Sequence, residues 1–178
     1  MTTTHVVVMG VAGCGKTTVA QLLSDQMGWI LIEGDDYHPQ ANIDKMARGI
    51  PLTDADRWPW LDTLANWMAQ QEDAGKSSIL TCSALKRKYR DRLRSGVPDV
   101  RFIHLDGSEE LLAQRMRERT GHFMPPSLLP SQLATLERLM PDENGVVIDI
   151  DTTPEHIAAA AVQWLRGPSS TSTTRGSA

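Results

Sequence analysis

"GVAGCGKT" occupies residues 10–17, directly after the β-branched run "HVVVM" (5–9) and at the start of a helix-patterned stretch, 16–27, that Gly28 closes. Glycines at 10, 13 and 15 permit a tight turn whose backbone N–H groups converge on one point. The helix that follows adds unpaired N–H donors and the positive end of its dipole. Strand, G-x-x-x-x-G-K-[ST] and helix in that order form a phosphate cradle. The whole loop, Gly10, Val11, Ala12, Gly13, Cys14, Gly15, Lys16, Thr17 and Thr18, is therefore expected to contact nucleotide. Lys16 is placed to bridge the β- and γ-phosphates of ATP, and Thr17 to offer its hydroxyl to Mg²⁺. Cys14 fits either a small space-filling thiol or, at a helix N-terminus, an oxidant-sensitive one.

Outward from this unit, strand-like runs at 29–33, 77–82, 100–105 and 145–151 alternate with helix-like ones at 38–48, 59–74, 85–96, 108–119, 131–139 and 154–166. "TDAD" (53–56) marks a helix start, and Pro59 suits the first turn of the helix it introduces. The alternation predicts an α/β fold: a five-stranded parallel sheet with right-handed crossovers and helices on both faces. One kinase-sized domain over 1–166 is expected, and "GPSSTSTTRGSA" (167–178) reads as a disordered tail.

Bulk properties narrow the function. A chain of 178 residues buries a proper core without staples. A net charge of −4 gives no global basic field for nucleic acid or an anionic membrane. No apolar run approaches the roughly 20 residues that cross a bilayer, and "MTTTHVVVMG" lacks the features of a secretory leader. The two cysteines, Cys14 and Cys82, have no disulfide or zinc spacing. A soluble, cytoplasmic protein is expected. The guanine motif N-K-x-D is missing, and "DENG" (142–145) precedes the last strand instead of following the third. The third strand ends "LTCSALK", with Ser83 where a motor protein needs paired acids. A small kinase remains.

Ligands of open parallel sheets lie beyond the carboxyl ends of the strands, which puts "EGDDYHP" (33–39) beside the cradle. Asp35 there can orient an acceptor hydroxyl, take its proton or hold a Mg²⁺ water. Asp36 suits a helix cap, His38 leans toward the pocket, and Glu33 has no clear role. In "CSALKRKYRDRLR" (82–94), Leu85, Tyr89 and Leu93 form a buried stripe. Lys86 and Arg90, at i and i+4, share a neighbouring face close to the acceptor and suit an anion. Lys88, Arg92 and Arg94 read as solvated. Arg115 and Arg119 precede the Gly/Pro-rich "TGHFMPPSLLP" (120–130), a loop able to close over nucleotide while the arginines stabilise the transferring phosphoryl group. Trp60, Leu64, Trp67 and Met68 form a core stripe or, failing that, a subunit contact.

Together, "MGVAGCGKTT" (9–18), "EGDDYHPQANIDKMARGIPLTDADRWPWL" (33–61), "CSALKRKYRDRLR" (82–94), "HLDG" (104–107) and "GHFMPPSLLPSQLATLE" (121–137) resemble the P-loop gluconate kinases. The resemblance implies an adenylate-kinase-like core with a mobile lid at about 118–131, an acceptor-binding insertion at about 36–58, and usually a homodimer. It also implies ATP-dependent phosphorylation of D-gluconate to 6-phosphogluconate. Asp35 would then be the base or hydroxyl orienter. His38, Arg57, Ser83, Lys86 and Arg90 would be pocket residues, and Arg115 and Arg119 lid-side cations. The chain departs from the pattern at Glu33, where Asp is common, and at Cys14, where Ser is commoner. The alternatives are a related kinase for shikimate or another sugar acid, and a non-catalytic nucleotide- or nucleic-acid-binding module.

Overall fold

The computed structural model describes residues 2–118 and 129–167. Its centre is β1 (His5–Met9), in which every residue is buried. Side chains of a strand alternate between faces, so a strand buried throughout is covered on both. β1 leads through the glycine loop into α1 (Lys16–Met27), which the left-handed Gly28 closes by donating its N–H to the Ser24 carbonyl. β2 (Ile30–Glu33), β3 (Ser78–Thr81), β4 (Val100–Asp106) and β5 (Gly145–Asp149) complete one sheet in the order β2-β3-β1-β4-β5. All four pairings are parallel. The chain leaves β1 toward β3 and β2 on one side and later fills β4 and β5 on the other. The crevice at the carboxyl end of β1 is thus the topological switch point.

β2 runs into a 3₁₀ turn, Gly34–Tyr37, and then α2 (Gln40–Ala47). Gly34 is required here: a Cβ on it would lie 2.0 Å from the Thr81 carbonyl oxygen of the neighbouring strand. Asp36 does not cap the next helix as expected. It lies exposed in the 3₁₀ turn, and α2 starts after Pro39 with no side-chain cap.

α3 (Asp54–Asp73) begins at the start that "TDAD" marked, where Thr53 and Asp56 form a reciprocal capping box. Pro59 consequently falls inside the helix, not at its start. Trp60, Leu64 and Met68 are core residues and Trp67 is half-buried, which favours the core reading of that stripe.

α4 (Arg87–Leu93) starts two residues later than predicted and passes into a 3₁₀ turn, Arg94–Gly96. The delay has a backbone cause: Ala84 is left-handed at φ 47° and Lys86 is extended, so the chain must turn before it can coil. α5 (Glu109–Glu118), α6 (Leu129–Thr135) and α7 (Pro154–Arg166) follow. α7 packs on α1, and α3 on α4. Among the described residues no helix is long and apolar enough to cross a membrane. The tail expected at 167–178 lies outside the described residues except for Gly167, as do residues 119–128 of the lid expected at 118–131.

Candidate active site

The glycine loop forms one wall of a cleft at the switch point. Gly10 has φ 146°, and a Cβ there would meet the Cys14 sulfur at 2.7 Å and the Leu105 carbonyl at 2.8 Å. The loop is therefore packed from beneath as well as free above. Cys14 is fully buried in that packing, which supports the space-filling reading. Lys16 Nζ donates to the carbonyls of Gly10 (2.9 Å) and Val11 (3.1 Å), so the ammonium is folded over the cradle. The Ala12 N–H donates to Gln132 Oε1 of α6 at 2.7 Å. Gly13 abuts Leu112 and Met116 of α5. Gly13, Gly15, Thr17 and Thr18 share a second, shallower cleft with Arg115, whose guanidinium donates to the Ile150 carbonyl after β5 at 2.9 Å. Arg119 lies outside the described residues.

The opposite wall comes from β2, β3 and α3. The main cleft is lined by Lys16 and Thr17 together with Glu33, Asp35, His38, Arg57 and Ser83. Met46, Pro51, Leu52 and Trp60 give it an apolar side, and Ser131, Gln132 and Thr135 of α6 close it. Glu33, for which the sequence offered no account, accepts from the Thr81 hydroxyl at 2.5 Å. That hydroxyl also accepts from the Gly34 N–H at 3.2 Å, so β3 fixes the carboxylate at the cleft floor.

His38 lies flat on Trp60, with ring centroids 3.9 Å apart, and its Nε2 is 3.6 Å from Asp35 Oδ1. Trp60 is in turn tied by its indole N–H to the Gly34 carbonyl at 2.8 Å. Arg57 donates to the Leu52 carbonyl at 2.5 Å and to Tyr89 Oη at 3.1 Å. The Tyr89 hydroxyl donates to Asp54. Burial, reinforced by Asp54, pushes the Tyr89 phenol up to about 12. Hydrogen bonds from Lys88 and then Tyr89 hold the Asp54 carboxyl down at about 2.

Two predicted pocket cations stand elsewhere. Arg90 is fully buried and makes a two-pronged ion pair with Glu143: Nε–Oε1 at 2.7 Å and Nη2–Oε2 at 3.1 Å. Its remaining reach goes to the Ala84 carbonyl at 2.9 Å and the Arg138 carbonyl at 3.4 Å. A guanidinium so engaged holds the β3–α4 turn and is not a cleft residue, which corrects the expectation of an anion clamp. Burial raises the Glu143 pKa, but the Arg90 hydrogen bonds and the Met140 N–H outweigh it and leave the carboxyl below its usual value. Lys86 caps α4 outside the cleft lining, 3.8 Å from Asp54 and 5.9 Å above the Tyr89 ring. Lys88, Arg92 and Arg94 make surface ion pairs with Asp54, Asp62 and Asp91, in keeping with a solvated face.

Sequence reasoning missed Gln132, Asn42 and Glu143. Asn42 could have been found from its i+4 spacing to His38. Glu143 sits in "DENG", weighed only as a guanine-nucleotide motif.

Comparison with known proteins bears on the same residues. The family model described as "AAA domain" matches residues 6–139. The chain is 52% identical over 160 residues to a gluconokinase of Gluconobacter oxydans, covering 90% of each chain. A sugar kinase from Janibacter sp. HTCC2649, in an unliganded crystal structure, superposes with a TM-score of 0.90 at 57% identity, covering 93% of this chain and 95% of that one. A gluconokinase from Sinorhizobium meliloti gives 0.81 at 44% identity, covering 91% and 93%.

Proposed function

The chain belongs to the gluconokinase family of P-loop kinases, and from that premise we propose that it transfers the γ-phosphoryl group of ATP to the terminal hydroxyl of D-gluconate, giving 6-phosphogluconate and ADP. The observation that carries this is the shared cleft: Lys16 and Thr17 on one wall face Asp35 and Arg57 on the other. Donor and acceptor can be held there in one line.

In this reading the loop N–H groups and Lys16 take the β- and γ-phosphates, with Lys16 exchanging its two loop carbonyls for phosphate oxygens. Arg57 pairs with the gluconate carboxylate. That sets the terminal hydroxyl beside Asp35, which accepts its proton as the oxygen bonds to γ-phosphorus and the bridging oxygen leaves with ADP. Trp60, Leu52, Met46 and Pro51 keep competing water away. Arg115, beside the loop, steadies the phosphate charge from the lid side, with Arg119 expected to join it.

Among the described residues no three His, Cys, Asp or Glu side chains form a closed metal cage, whereas Thr17, Glu33 and Asp35 present oxygen donors to one cleft. That set suits Mg²⁺, which binds through one or two protein oxygens plus phosphates and water. Thr17 and Asp35 would hold it, and the ion would neutralise charge on the β- and γ-phosphates.

The stretch 36–58 serves as the acceptor-binding insertion and 118–131 as the lid. The protein works in the cytoplasm, as a homodimer. Cys82, pushed up to about 12 by burial, stays a thiol there.

An acceptor panel with Mg-ATP, read by ADP release, tests the proposal. Gluconate should couple, while shikimate and other sugar acids should stay near background. Equal rates with another acid would overturn the assignment of gluconate. Salt-sensitive oligonucleotide binding with no kinase activity would overturn the catalytic reading.

A further inference from the structure

The neighbourhood of His38 fixes more than its position. Asn42, 3% exposed on the first turn of α2, directs its amide nitrogen at two atoms. One is the backbone carbonyl of Asp56, at 2.9 Å. The other is His38 Nδ1, at 3.3 Å. A carbonyl only accepts, so the group facing Asp56 must be the NH₂ end of the amide. The same NH₂ then faces Nδ1, and a ring nitrogen that meets a donor must offer its lone pair. The proton of the neutral imidazole is left on Nε2, the nitrogen beside Asp35 Oδ1.

We infer that Asn42 is a positioning residue that locks His38 as the Nε2–H tautomer and so aims an N–H at the Asp35 carboxylate. The opposite tautomer would set a bare lone pair against that carboxylate and an N–H against an amide N–H. Both contacts are repulsive. The Nε2–H faces Asp35 Oδ1 and orients that carboxylate. The stack on Trp60 keeps the ring from turning. The anchor of Asn42 is equally firm, because Asp56 belongs to the capping box of α3 and its carboxylate also binds Lys45 of α2 at 2.8 Å. The tautomer follows from these contacts alone. Its effect on turnover rests on the kinase reading above.

The test uses the full chain labelled with ¹⁵N. Two-bond ¹H–¹⁵N correlation spectra distinguish a protonated ring nitrogen from a bare one, and His38→Gln identifies the His38 signals by their loss. The wild type should show protonated Nε2 and bare Nδ1. Asn42→Asp replaces the donor by an acceptor and should reverse that pattern or protonate both nitrogens. Where the pattern reverses, the Nε2–H toward Asp35 is lost and kcat for gluconate should fall about tenfold, the scale of losing one hydrogen bond to a charged group, with KM for ATP unchanged. A wild-type spectrum with protonated Nδ1 overturns the inference, and it needs no variant to fold. An unchanged tautomer in Asn42→Asp removes Asn42 as its cause. A reversed tautomer with unchanged kcat overturns its part in turnover. Were the wild type inactive on gluconate, the substrate assignment would fall while the spectrum still decided the tautomer.

Discussion

The two walls of the cleft are built by different means. The phosphate wall is backbone: a turn shaped by glycines, with Lys16 resting on the loop's own carbonyls. The acceptor wall is side chains, brought from β2, β3, α2 and α3 and each held by a partner side chain, for Glu33 and Arg57 one distant in sequence. Thr81 holds Glu33, Asn42 contacts His38, and Tyr89 holds Arg57. A backbone site depends on local spacing. A side-chain site depends on the packing beneath it, so damage outside the cleft should tell the two apart.

The largest expected effect comes from Arg90. It touches neither wall, yet its hydrogen bond to the Ala84 carbonyl braces the left-handed residue beside Ser83. Arg90→Ala would leave Glu143 buried and uncompensated, at a cost of about 3–5 kcal/mol. Denaturant unfolding should show it as a lower midpoint. Arg92→Ala, two residues further along the same helix, breaks an exposed pair with Asp62 and should leave the midpoint nearly unmoved. Equal losses for the two would mean that the buried pair braces nothing.

Lys16→Ala attacks the phosphate wall instead. Losing a donor to the transition state should lower kcat by roughly 100-fold or more, with the unfolding midpoint nearly unmoved because the lysine braces only its own loop. Asp35→Asn should likewise depress kcat more than ATP binding, and a near-normal kcat there would remove Asp35 as the base.

This division explains what could be read in advance. The cradle, the parallel sheet and the burial of Leu85, Tyr89 and Leu93 all rest on spacing within one segment, and spacing is visible in a sequence. Helical periodicity placed Lys86 and Arg90 on one face but could not say what lay opposite. Glu143, 53 residues further on, turned Arg90 inward. Ala84 shifted the helix start for a similar reason: nothing in the residue announces a positive φ, which here is held by contacts from α4 and the glycine loop. The Ser83 carbonyl accepts from the Gly10 N–H at 3.3 Å.

A different kind of test comes from His104 on β4, buried, with no partner for Nδ1 among the described residues. Burial lowers its pKa to about 4, and although Asp106 opposes this, Arg138, Arg90 and Lys16 add to it. An unfolded chain would bind the proton near pH 6.5. Between those values the unfolded state holds more protons, so stability must fall as pH drops from about 6.5 toward 4. Relative to wild type, His104→Leu should flatten that part of the stability profile. An unchanged slope would show that other groups govern it.

The smallest effect tests how finely the acceptor wall is set. Tyr89→Phe removes one hydroxyl and keeps the ring, over which Arg57 lies at 5.0 Å. Asp54 retains Lys88, and Arg57 retains the Leu52 carbonyl. The hydroxyl's bond to Asp54 goes, and so does the bond that orients the guanidinium toward the cleft, the latter a matter of about 1 kcal/mol. The KM for gluconate should rise several-fold while kcat and the KM for ATP stay put, because Arg57 is assigned to hold the acceptor carboxylate in ground and transition state alike. A fall in kcat at constant KM would instead place Tyr89 in the chemistry. If all three constants stayed the same, Leu52 and ring stacking would suffice to place Arg57, and this part of the acceptor wall would be as self-contained as the glycine loop.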